Sequence, residues 1–165
     1  MKIMRHLFSR FLLSAAAVCG LLMATVPAQA QVGEKTLGIA GGYASYNNGG
    51  YADIYFQYTL ANHVRIAPEI GYIFRNEGKS GFEFSADVQF PFRLARSFNV
   101  YPLVGFTLNN WEYSGDGHAT RAGADFGAGF DIYLMSNFKL SLQGKYSLMN
   151  DTSGGLFNFG FGYVF

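Results

Sequence analysis

The stretch Phe82-Glu83-Phe84-Ser85-Ala86-Asp87-Val88-Gln89-Phe90-Pro91-Phe92-Arg93 alternates at every step. One face carries Phe82, Phe84, Ala86, Val88, Phe90 and Phe92. The other carries Glu83, Ser85, Asp87, Gln89, Pro91 and Arg93. Successive side chains of a β-strand point to opposite faces, so this period predicts a strand held between two different solvents.

The same period runs outward in both directions and predicts eight strands. Strand one is Thr36–Ser45, strand two Tyr51–Leu60, strand three His63–Arg75 and strand four Phe82–Arg93. Strand five is Asn99–Asn109, strand six Thr120–Tyr133, strand seven Phe138–Leu148 and strand eight Leu156–Phe165. One set of connections is very short: Ala61-Asn62, Ala95–Phe98 and Met135–Asn137. The other set is slightly longer and rich in Asn, Asp and Gly: Tyr46–Gly50, Asn76–Gly81, Asn110–Ala119 and Asn150–Gly155. Loops this short join antiparallel neighbours, which predicts an all-β, up-and-down antiparallel meander. Pro68, Pro91 and Pro102 each remove a ladder donor. Parity holds through Pro68, so a local bulge or missing bond is expected there, with no change of register.

The faces decide which side is inside. More than thirty Leu, Ile, Val, Phe and Tyr side chains share the apolar face. The interior of an eight-stranded barrel has room only for its inward side chains and cannot hold that many large ones. Twelve charged residues fall on the polar face: Asp53, Glu69, Glu83, Asp87, Asp125 and Asp131 against Arg65, Arg75, Arg93, Arg121, Lys139 and Lys145. A bilayer resolves this, with aromatics toward lipid, charges toward the lumen, and closure removing every free backbone edge. The fold class is therefore an eight-stranded transmembrane β-barrel. A soluble secreted sandwich or lipocalin-like barrel is the weaker reading, because it would need its charges outside.

Composition agrees. Charged residues are 14% of the chain's 165 residues, while 28 residues are Tyr or Phe and 21 are Gly. That aromatic content excludes disorder, and the net charge of +1 gives no basic footprint for nucleic acid. The first thirty residues differ. Lys2, Arg5 and Arg10 precede the apolar run Phe11–Met23, and Pro27-Ala28-Gln29-Ala30 follows. This order predicts a secretory signal peptide over 1–30, with Ala28 and Ala30 before the cut and Gln31 as the mature start. The apolar run spans ~20 Å as a helix, short of a ~30 Å hydrocarbon core. The barrel domain is then 31–165, exported to the bacterial outer membrane. The single cysteine, Cys19, leaves with the signal, so no disulfide or thiol chemistry is expected.

The chain resembles the small eight-stranded outer-membrane barrel proteins, the OmpA-transmembrane, OmpX and opacity-protein group. The resemblance covers Thr36–Phe165 and rests on the alternating aromatics that close on Tyr163-Val164-Phe165. It rests also on Gly127-Ala128-Gly129-Phe130-Asp131-Ile132-Tyr133, followed by a Ser-Asn turn and Lys139–Tyr146. The resemblance implies outer-membrane lipid as surroundings. It also implies that Tyr163 and Phe165 are a signal read by the barrel-assembly machinery.

The chemistry in the sequence is sparse. Matched charges on the inward face predict an ion-paired plug, since buried charges must be paired. Gly105, Gly123, Gly127, Gly129, Gly160 and Gly162 are expected to make room for long lumen side chains. His6, His63 and His118 do not cluster, so no metal, cofactor or catalytic constellation is expected. Trp111, with Tyr113, is expected in the interfacial aromatic belt, or otherwise as a surface contact for an extracellular partner. Tyr43, Tyr58, Tyr72 and Tyr146 are expected in the lipid-facing girdles. The leading function is a non-enzymatic structural or surface-interacting barrel. The alternatives are an outer-leaflet lipid-modifying enzyme using His118 and a loop hydroxyl, or a narrow pore.

Overall fold

The computed structural model describes residues 32–114 and 117–165. The expected signal peptide, with Ala28, Ala30 and Gln31, lies outside the described residues.

The strands are β1 (Lys35–Ala44), β2 (Gly49–Ala61), β3 (Val64–Asn76), β4 (Lys79–Gln89), β5 (Phe92–Ala95), β6 (Phe98–Tyr113), β7 (Gly117–Met135), β8 (Phe138–Met149) and β9 (Gly154–Val164). Except for β4 and β5, consecutive strands pair antiparallel, and β1 pairs with β9. β4 and β5 are two halves of one barrel strand. Both pair with β6 in one register, Gln89 opposite Leu103 and Phe92 opposite Val100. Pro91 interrupts the strand because it has no N–H to give, and the Phe90 N–H still donates to the Pro102 carbonyl at 2.9 Å. The result is a closed, eight-stranded, up-and-down barrel with no free sheet edge around its girth.

Pro68 behaves as its parity requires. It pairs with Ala86 without a shift toward β4, while the β2–β3 ladder keeps its register from Tyr55–Glu69 to Tyr58–Ile66. The alternation is physical as well as compositional: Phe82 is 63% exposed and its neighbour Glu83 is 1% exposed. Strand five of the sequence reading, now β6, faces as its pattern suggests, with Val104, Phe106 and Leu108 outward and Leu103 and Thr107 buried.

Both described chain ends lie at one end of the barrel, here the inner end, and the turns before β2, β4, β7 and β9 lie at the outer end. Two expectations about the outer end are corrected. The ten-residue loop Asn110–Ala119 is mostly strand: the β6–β7 ladder continues through Trp111–Ala119 to Tyr113–Gly117. Backbone groups paired in a ladder need no loop to solvate them, and inward and outward parity persists to Tyr113. The β3–β4 connection is likewise tight, since Asn76 already pairs with Lys79. Glu77 and Gly78, both at positive φ (50° and 77°), form a two-residue turn of the kind that matches strand twist.

Candidate functional site

The lumen collects the inward residues of every strand. Because strands tilt in a barrel, a ladder row that starts on β1 reaches the next strands at a changing height. Gly42, Tyr51, Ile73, Gly81, Trp111 and Ala119 form one such row, linked pair by pair. Tyr51, Ile73 and Trp111 join Ala44, Tyr46, Met149 and Leu156 in a single buried apolar cluster at the outer end. Trp111 is 0% exposed. Its expected place in the lipid interface is therefore wrong: Trp111 shares the parity of Leu103, Thr107 and Asn109, all buried, and points inward. The Tyr46 ring meets the indole edge-on at 5.7 Å, and the Lys79 ammonium lies 5.3 Å from the Trp111 ring centroid. Burial, reinforced by the charge on Glu83, raises the pKa of the Tyr46 phenol in the first outer turn, so it stays protonated.

Beneath this cap lies an acidic chamber. The Lys145 ammonium is 2.9 Å from Glu69, 3.2 Å from Glu83 and 3.7 Å from both Asp87 and Asp125. It also donates to the Ser85 hydroxyl at 2.8 Å. Asp53 accepts a hydrogen bond from Asn158 at 3.0 Å. β3 brings Glu69, β4 brings Glu83 and Asp87, and β7 brings Asp125, all converging on one cation from β8.

A hydrogen-bonded chain continues toward the inner end. Gln143 donates to Glu69 at 3.0 Å and accepts from Gln89 at 3.1 Å. Gln89 accepts from Arg65 Nε at 2.6 Å. The Arg65 guanidinium then reaches Asp131 at 2.7 Å and lies 4.7 Å from the Tyr101 ring centroid. Asp131 also accepts from Ser141 at 2.7 Å and faces Lys139 at 3.7 Å. Lys139 faces Glu34 at 3.6 Å, and the Tyr133 hydroxyl closes the inner mouth by donating to Glu34 at 2.6 Å. A mid-lumen cavity lined by Tyr55, Gln57, Glu69, Tyr101 and Gln143 measures about 10 Å³. That is room for about one water.

Of the twelve expected lumen charges, the interior gathers Arg65, Lys139 and Lys145 with Asp53, Glu69, Glu83, Asp87, Asp125 and Asp131, all buried. It does not gather the others. Arg75 and Arg121 sit at the exposed outer rim, paired with Glu112 at 3.5 Å and Asp151 at 3.7 Å. The extended β3 and β7 carry them above the lumen, where water solvates their charge. Arg93 is half-buried near the inner end of β5 and makes no ion pair among the described residues. The six-to-six balance therefore becomes three cations to six carboxylates in the interior. Sequence reasoning passed over Glu34, Tyr133 and the glutamines 57, 89 and 143. The three glutamines share the inward parity of residues already counted, which was the signal available.

Several of the lumen glycines make room for side chains, whereas a Cβ at Gly127 would meet the backbone of Gly144 and Lys145. A Cβ at Gly129 would meet the Tyr101 ring, one at Gly123 the Met149 side chain, and one at Gly105 the Asp87 carboxylate. His118 lies in β7, paired opposite Glu112 and exposed, and no group of His, Cys, Asp or Glu among the described residues is arranged to hold a metal. Tyr163 and Phe165 stack at 6.3 Å on the lipid face of the last strand and its end.

The barrel is similar to the N-terminal β-barrel domain of Pseudomonas aeruginosa OprF, at 17% identity and a TM-score of 0.71, covering 81% of this chain and 98% of that one. It is similar to the Neisserial surface protein A, at 15% identity and a TM-score of 0.64, covering 81% and 97%. Ail, the attachment invasion locus protein of Yersinia pestis, superposes at 18% identity and a TM-score of 0.61, covering 82% and 100%. Likeness at these identities speaks to fold alone. Comparison with curated proteins gives no match. The sequence model of the outer membrane protein beta-barrel domain matches residues 16–165, and with the closed barrel in view, the chain belongs to that outer-membrane family.

Proposed function

We propose that this chain is a non-enzymatic outer-membrane barrel whose lumen is plugged by its own side chains, with a structural or surface-interacting role. The observation that carries the reading is the filled interior: a chain of hydrogen bonds and ion pairs from Glu34 to Lys145, a central cavity of about 10 Å³, and an apolar cap above it. A permanent aqueous channel needs continuous water, and the mid-lumen cavity has room for about one molecule. His118 stands exposed on a strand opposite Glu112, and among the described residues no hydrogen bond orients its imidazole as general acid–base work requires.

Ail has been crystallised with a heparin analogue. Here the rim cations Arg75 and Arg121 each already face an acid, so a polysulfated ligand would have to displace Glu112 and Asp151. This favours the structural role over polyanion capture. Export uses the N-terminal signal, cut after Ala30, and insertion uses the barrel-assembly machinery. Planar-bilayer recording of the refolded protein tests the plug. No steady current is expected, and stable channels of nanosiemens size would put the pore reading first.

A further inference from the structure

We propose that the ion barrier of this barrel is its apolar outer cap, with Trp111 as the central plate, and that the chamber beneath is a cation-attracting vestibule. The inference rests on the plugged-lumen reading and names where the plug seals and what a leak would carry.

The polar layers are poor barriers by themselves. Lys145 already has four carboxylates within 3.7 Å, so an arriving cation can be met by a carboxylate that the ammonium gives up. Glu69, Gln143, Gln89 and Arg65 form a continuous path of groups that can exchange partners. The cap is different. Tyr51, Ile73, Trp111, Met149 and Leu156 give a passing ion no charge to replace its water, and moving an unpaired ion into such surroundings is very costly.

Trp111 is the weak point of the cap. Its ladder neighbours in the row are Gly81 and Ala119, and the indole occupies the space over Gly81, where an added Cβ would lie 3.0 Å from it. Neither neighbour can close the gap if the indole is removed. The vestibule sets the sign of the leak. The buried cations Arg65, Lys139 and Lys145 face Asp53, Glu69, Glu83, Asp87, Asp125 and Asp131, with Glu34 at the inner mouth. A cleft lined by one sign of charge concentrates the opposite ion.

The test uses full-length mature protein in planar bilayers under a potassium chloride gradient: wild type, Trp111→Ala, Trp111→Phe and Ile73→Ala. Compact gel mobility first establishes that each variant is folded. Trp111→Ala should show discrete steady current, with its zero-current potential shifted toward the potassium equilibrium value. Trp111→Phe, which keeps an aromatic plate, should stay silent. Ile73→Ala thins the same row and should leak with the same selectivity, so the inference remains testable if Trp111→Ala fails to fold. Folded alanine variants as silent as the wild type would place the barrier in the ionic layers and overturn it. A shift toward chloride would overturn the vestibule. A conducting wild type would instead overturn the plugged-lumen reading itself.

Discussion

The Lys145 ammonium on β8 lies 2.9 Å from the Glu69 carboxylate on β3, across the lumen and 76 residues away in the chain. No ladder joins those two strands; only closure of the sheet brings them together. The same ammonium faces Glu83, Asp87 and Asp125. Among the described residues it is thus the sole buried cation of the outer half, and the acids around it are in surplus.

That surplus makes the two sides of the network unequal. Lys145→Ala leaves four buried carboxylates without their cation, and loss of one partner from a buried ion pair costs about 3–5 kcal/mol. Asp87→Ala removes one excess acid at 3.7 Å and should cost far less or stabilise the barrel. Equilibrium urea unfolding in lipid vesicles measures both. Equal losses would show that the charges are balanced after all.

Gly71 and Tyr51 are coupled through space. A Cβ at Gly71 would meet only the Tyr51 ring and hydroxyl among its nearest neighbours. Gly71→Ala should therefore destabilise by about 1–3 kcal/mol, the usual cost of overpacking. In the Tyr51→Leu background the same change should cost much less, and a double-mutant cycle reads that coupling. Additive effects would mean that strand twist, and not the ring, sets the requirement for glycine.

The lipid face can be tested at Phe84, which points outward between Ile70 and Leu108. Phe84→Arg should cost up to about 2–4 kcal/mol, as for arginine near a bilayer midplane. In a water-facing position such a change would fall within about 0.5 kcal/mol. Vesicle unfolding titrations separate the two outcomes.

Phe165 is 59% exposed and stacks on Tyr163, so its deletion removes little internal packing. Burial of one such side chain is worth only about 1.5–3 kcal/mol. A strong fall in outer-membrane level, with in vitro refolding preserved, is the expected result and marks lost recognition during assembly. Wild-type levels in cells would remove that role.

The amino-acid sequence by itself determined the architecture, because a period of two is a local property. Phe82–Arg93 and its seven counterparts each show which side faces lipid, and short Asn- and Gly-rich turns leave antiparallel pairing as the arrangement they permit. Parity even contained the inward direction of Trp111, although its residue type suggested the membrane interface. What only the tertiary structure decided is height and partnership within the lumen. Arg75 and Arg121 have inward parity, yet they stand at the rim and pair with Glu112 and Asp151. Lys145 has the same parity and gathers four acids. The physical reason is strand tilt: each ladder row climbs as it circles the barrel, so residues that meet across the lumen are set by closure and stagger, which no single strand records.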